Sequence, residues 1–105
     1  MYRVYGEYDV TNAKSDLGNI VDAIKDYELE CDLNPVPNTL ILKKLGIKVD
    51  TTCEITINGR DFSVNANEAL EFGYDTISVN SIVFKTPCNN AVVRYMYYRE
   101  DMMYR

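Results

Sequence analysis

Apolar and polar residues alternate most regularly over Thr52–Val64, where Asn58-Gly59 separates two short runs. Asn-Gly in that setting predicts a two-residue type I′ hairpin, because both central residues need φ > 0, which Asn tolerates and Gly adopts freely. A two-residue loop sets the register: Ile57 opposite Arg60, Ile55 opposite Phe62, Cys53 opposite Val64. The intervening pairs, Thr56–Asp61 and Glu54–Ser63, are polar. One face of the ribbon is therefore apolar and the other wet, as a half-buried antiparallel sheet requires.

Residues 2–10 alternate too. Tyr2, Val4, Tyr8 and Val10 share a face with Gly6, while Arg3, Glu7 and Asp9 take the other together with Tyr5, which predicts a strand. Thr11, Asn12 and Ser15 favour a turn and a helix start. Leu17, Ile20, Val21 and Ile24 follow at i, i+3, i+4, i+7 spacing, predicting one short helix near residues 16–26, capped by Ser15. Asp16, Asn19, Asp22 and Lys25 would form its solvated face.

Pro35 and Pro37 push the residues before them towards extended geometry, so 34–38 reads as a surface connection and an internal seam. Too few residues precede it for a separate core, and 1–105 is read as a single domain. Leu45, Ile47 and Val49 share one parity and predict a strand. Asn38–Leu45 is open between one helical turn ending at Gly46 and a strand beginning at Leu40. The stretch NANEALEFGYD reads as a short acidic connection. Ile77 and Val79 point one way and Ile82 and Phe84 the other, so the slip at Asn80-Ser81 predicts a bulge or a change of sheet. Pro87–Asn90 reads as a turn. The run AVVRYMYY puts Val93, Tyr95 and Tyr97 on an inner face and Arg94, Met96 and Tyr98 on an outer one, ahead of a tail over 99–105. The sum is a mainly β chain, an antiparallel β-sandwich of about 5–7 strands with the one helix.

Composition narrows the function classes. The net charge is −5 and no basic stripe offsets it, which argues against direct contact with nucleic acid. The start MYRVYGEYDV lacks the apolar centre of a signal peptide, and no run has the length of a membrane span, so no membrane partner is expected. Cys31, Cys53 and Cys88 are odd in number and carry no CxxC spacing. They read as small buried hydrophobes in a reducing compartment, the alternatives being a disulfide between two of them or a reactive thiol.

The chain has no histidine, which removes Ser-His and Cys-His nucleophile pairs and the commonest metal ligand. It also lacks a glycine-rich phosphate loop. Asp61, Glu68, Glu71, Glu28 and Glu30 could in principle form an acid/base pair, but each is expected to face solvent. A calcium site from Asp50, Glu54 or Asp61 has no EF-hand pattern behind it. No catalytic residue, metal or cofactor is therefore assigned. The residues that stand out are the outward Arg94, Met96 and Tyr98 and, beyond them, Met102, Met103 and Tyr104. Tyr, Met and Arg are enriched in protein interfaces, so this set is the candidate partner surface.

From about Asn38 to Tyr98 the chain resembles small virion structural proteins of tailed bacteriophages. The likeness rests on NTLILKKLGIKV leading into CEITINGRDFSV, then NEALEFGYD, SVNSIVFKTP and the tyrosine-ended AVVRYMYY. These read like the β-sandwich modules of capsid-decorating, head-fibre and tail components. The resemblance implies a non-catalytic assembly role, with other virion proteins or further copies of the same chain as partners. It also implies residence in the virion after assembly in the bacterial cytoplasm. The alternative is a small β-sandwich module that binds a sugar or a protein.

Overall fold

The computed structural model describes residues 2–31 and 36–99. In chain order its elements are β1 (Tyr2–Ala13), a 3₁₀ turn (Ser15–Leu17), α1 (Ile20–Cys31), β2 (Lys44–Val49), β3 (Cys53–Ile57), β4 (Arg60–Val64), β5 (Ala69–Phe72), β6 (Ile82–Phe84) and β7 (Cys88–Arg99). The strands form two antiparallel sheets, one in the order β1-β7-β2-β5 and one in the order β4-β3-β6. The fold is mainly β, as the alternation requires.

The hairpin has the expected register at all five pairs, with Asn58 at φ 53° and Gly59 at φ 82°. Asn58 does more than tolerate the turn. Its side-chain amide donates to the Ser78 carbonyl (2.7 Å) and its Oδ1 accepts from the Asn80 N–H (3.0 Å), fastening the turn to the segment before β6.

Rows of inward residues cross the larger sheet: Val10–Ala91–Val49, Tyr8–Val93–Ile47–Leu70 and Gly6–Tyr95–Leu45–Phe72. They meet Ile55, Ile57, Val64, Ile82 and Phe84 of the smaller sheet and Ile20, Val21 and Ile24 of α1 in one core. Each fully buried Ile, Leu or Phe contributes about 1.5–3 kcal/mol relative to exposure, so this core is the main stabilising term.

The helix begins later than the spacing predicts. Gly18 at φ 72° separates the 3₁₀ turn from α1, and Leu17 is exposed. Asn19, not Ser15, caps the helix: its Oδ1 accepts from the Val21 N–H (2.9 Å) and its carbonyl from the Asp22 N–H (3.1 Å). The same side chain accepts from the Ile82 N–H (3.0 Å) and donates to the Asn80 carbonyl (3.0 Å). One residue thus starts the helix and docks it on β6.

Four other segments differ from expectation. Thr11 and Asn12, expected in a turn, continue β1 as far as Ala13, held by pairing of Thr11 with Asn90 and of Ala13 with Cys88. Ala69–Phe72, inside the expected acidic connection, is the edge strand β5, with Leu70 and Phe72 turned to the core. Cys88–Asn90 opens β7 instead of turning, because the Asp50 carboxylate accepts from both the main-chain N–H (3.0 Å) and the side-chain amide (3.2 Å) of Asn90. Asn38–Lys43 forms neither a helical turn nor an early strand; it is irregular, held by a bridge between Leu42 and Val79. At Asn80-Ser81 the chain does change partners, from Leu42 on one side to β3 on the other.

Of the 34–38 connection, 34 and 35 lie outside the described residues, while Val36 is buried. Arg99 belongs to β7 and is buried, and the remaining tail residues 100–105 lie outside the described residues.

Candidate functional site

Strand alternation places Arg94, Met96 and Tyr98 on the face of β7 that looks away from the core, as expected from the sequence. The register adds Arg3, Tyr5 and Glu7 of β1 beside Tyr98, Met96 and Arg94. On the other flank stand Lys44 and Gly46 of β2, with Glu71 of β5 beyond Gly46. The outer face of the four-stranded sheet therefore carries aromatic rings interleaved with both signs of charge.

Two clusters order this face. In one, the Tyr98 hydroxyl donates to Asp75 (2.9 Å) and lies 2.8 Å from the Tyr74 hydroxyl. The two rings are 6.4 Å apart, and the Arg3 guanidinium sits 4.4 Å from the centre of the Tyr74 ring. Partial desolvation, and then the bond to Asp75, raise the Tyr98 pKa, so the hydroxyl stays protonated as a donor. In the other cluster, Arg94 Nε pairs with Glu7 at 3.2 Å across the strands, both side chains more than half exposed. Such a pair contributes little to stability and leaves its charges accessible.

Between the clusters lies a shallow groove of about 580 Å³, edged by Tyr5, Glu7, Lys44, Glu71 and Arg94 and floored at Gly46. Its rim carries two acids and two bases around an exposed aromatic ring. Tyr5 is 61% exposed, the highest value among the large hydrophobic side chains of the described residues that stand out of the surface.

The expected interface set is not uniform. Arg94 is exposed and Tyr98 half-buried, but Met96 is fully buried although it shares their parity. Met102, Met103 and Tyr104 lie outside the described residues. Tyr74 has no strand parity to reveal it, since it reaches the face from the turn after β5, tied down by the Asp75 N–H to the Lys43 carbonyl (2.8 Å).

A second polar cluster lies on the inner side. Glu28, expected in solvent, is 7% exposed and turned under β7. Its carboxyl accepts from the hydroxyls of Tyr95 and Tyr97, the latter at 2.9 Å, and the two rings stack 6.3 Å apart. Tyr95 reaches it by lying across Gly6, where any Cβ would overlap the phenol. Burial first, and the Glu28 hydrogen bond second, raise the Tyr95 pKa. The signal was present in the spacing: Glu28 follows Ile20 and Ile24 at four-residue intervals and so falls on the buried helix face.

Among the described residues there is no group of three or more His, Cys, Asp or Glu placed to hold a metal ion, and no helix long and apolar enough to cross a membrane. Cys53 and Cys88 are buried free thiols in mutual contact; burial first, and Cys88 second, push the Cys53 thiol up to about 11. The side chain of Cys31 lies outside the described residues. Comparison with protein-family models, curated proteins and solved structures found no match to this chain.

Proposed function

We propose that this domain is a non-catalytic assembly component of a bacteriophage virion, working through protein–protein contacts made by the outer face of its larger sheet. The observation that carries the contact reading is the open patch of Tyr5, Tyr74, Tyr98, Arg3 and Arg94, with rings and guanidinium groups held in place by neighbours on the same face. Tyr and Arg supply much of the energy of protein interfaces, and pre-ordering them lowers the entropy cost of docking. The virion setting rests on the resemblance of residues 38–98 to phage β-sandwich modules. On that reading the partners are other virion proteins or further copies of the chain, and assembly occurs in the bacterial cytoplasm.

Particles induced from the strain that carries the gene test the setting. Mass spectrometry should find the chain in purified particles at a fixed ratio to their other proteins; its absence contradicts the proposal.

The groove beside Tyr5 favours a second reading, a module for a sugar or a short peptide. An aromatic platform with carboxylates and cations at its rim is the equipment such a ligand needs. Binding on a glycan array that is lost in Tyr5→Ala would favour it over assembly.

A further inference from the structure

We propose that two copies of the chain join through their β1 edges, antiparallel about a twofold axis at Gly6, extending the four-stranded sheet to eight strands. The inference deepens the assembly reading and rests on it for its purpose, though its geometry comes from β1 alone.

Among the described residues β1 ends the larger sheet with β7 as its one strand neighbour, and the two run in register without a break from Tyr2–Arg99 to Thr11–Asn90. Among the described residues, no main-chain hydrogen bond outside that pairing involves residues 2–13. The other edges are β4, β5 and β6, of five, four and three residues. Short edges are one common guard against unwanted pairing, whereas β1 is twelve residues long and free of proline.

The side chains select a register. A strand pairing with its own copy must keep inward residues opposite inward ones, so the axis has to pass through a residue. Centred on Glu7 the pairing opposes Glu7 to itself, centred on Tyr8 it opposes Glu7 to Asp9, and centred on Asp9 it opposes that carboxylate to itself. Centred on Gly6 it sets Arg3 against Asp9 of the second copy, twice, on the outer face. It also sets Val4 against Tyr8 of the second copy, twice, on the inner face. Neither Arg3, whose guanidinium lies over the Tyr74 ring, nor Asp9 has an ion-pair partner among the described residues, and Val4 and Tyr8 are only partly buried against the core. Opposite charges and aromatic–β-branched pairs are the favourable cross-strand combinations. Centring on Tyr5 would pair Arg3 with Glu7, which Arg94 already holds, and would leave Asp9 without a cation. The Gly6 register gives Asp9 a cation, covers the half-buried apolar residues, and sets the two outer patches side by side.

Sedimentation equilibrium of the full chain tests this. The wild type should show a dimer of twice the 12.1 kDa chain mass. Asp9→Arg, which opposes Arg3 with a second arginine at both ends, should weaken dimerisation by about tenfold or more. Adding Arg3→Asp to it should restore the wild-type association to within about threefold. Circular dichroism and the thermal midpoint confirm that each variant is folded. A wild type that stays monomeric to millimolar concentration, a dimer indifferent to Asp9→Arg, or a folded double variant that does not recover would each overturn the inference. None of these removes the chain from purified particles, so failure here is distinct from failure of the virion reading.

Discussion

At Glu28 two tyrosine hydroxyls converge on one carboxyl, and this contact fixes the helix to β7. Glu28→Ala would remove the acceptor that both hydroxyls share in the core and should lower stability by about 2–4 kcal/mol, measured by urea unfolding. Glu28→Gln keeps one acceptor and should cost about half as much. Equal, negligible effects would mean that the pair does not hold the helix. Two other buried groups set the alkaline limit. The pKa of Cys53 is raised from 9.0 to about 11, and that of Tyr95 is also raised from 10.0. Both folded states favour the neutral form, so their contribution is complete below pH 9 and is lost as pH rises through the folded values. The thermal midpoint should therefore fall above pH 9, and Cys53→Ala should flatten part of that fall between 9.0 and 11. A midpoint constant across that window would contradict the burial argument.

Among the elements, the hairpin was the most legible in sequence, since Asn-Gly and strict alternation leave one register. Gly59→Val should destabilise by more than about 1 kcal/mol, because a β-branched residue does not readily hold φ near 82°. β1 and the inward parity of β7 were equally clear, for the same reason. The helix was displaced by four residues at its start because Asn19 carries two roles and local spacing reveals only one. Asn19→Ala removes both the cap and the tether to β6 and should cost about 1–2 kcal/mol. β5 is hidden because four residues on an edge give too short an alternation, and its Glu71, with Glu68 just before it, reads as loop. The opening of β7 was hidden for another reason: Asp50, forty residues away in sequence, supplies the acceptor that draws Asn90 into the strand. Long-range hydrogen bonds of this kind leave no local pattern.

Across the whole molecule, a two-sheet core with one helix was predictable from periodicity, whereas the sheet order was not, because parity says which face is buried and nothing about neighbours. The candidate surface was legible in part: Arg94 and Tyr98 follow from alternation in β7, but Tyr74 and Arg3 join them only through the turn after β5 and the β1–β7 register. Among the described residues β1 is the long open edge beside the patch. On the proposed reading the domain is an assembly piece whose larger sheet would present one face and one edge to its partners. Hydrogen exchange of the full chain at micromolar and at millimolar concentration examines that edge directly. The amides of Arg3–Asp9 that point away from β7 should exchange slowly in concentrated solution and fast on dilution, while the β4 edge stays unchanged. Exchange of those β1 amides that is rapid at both concentrations would contradict pairing through the edge.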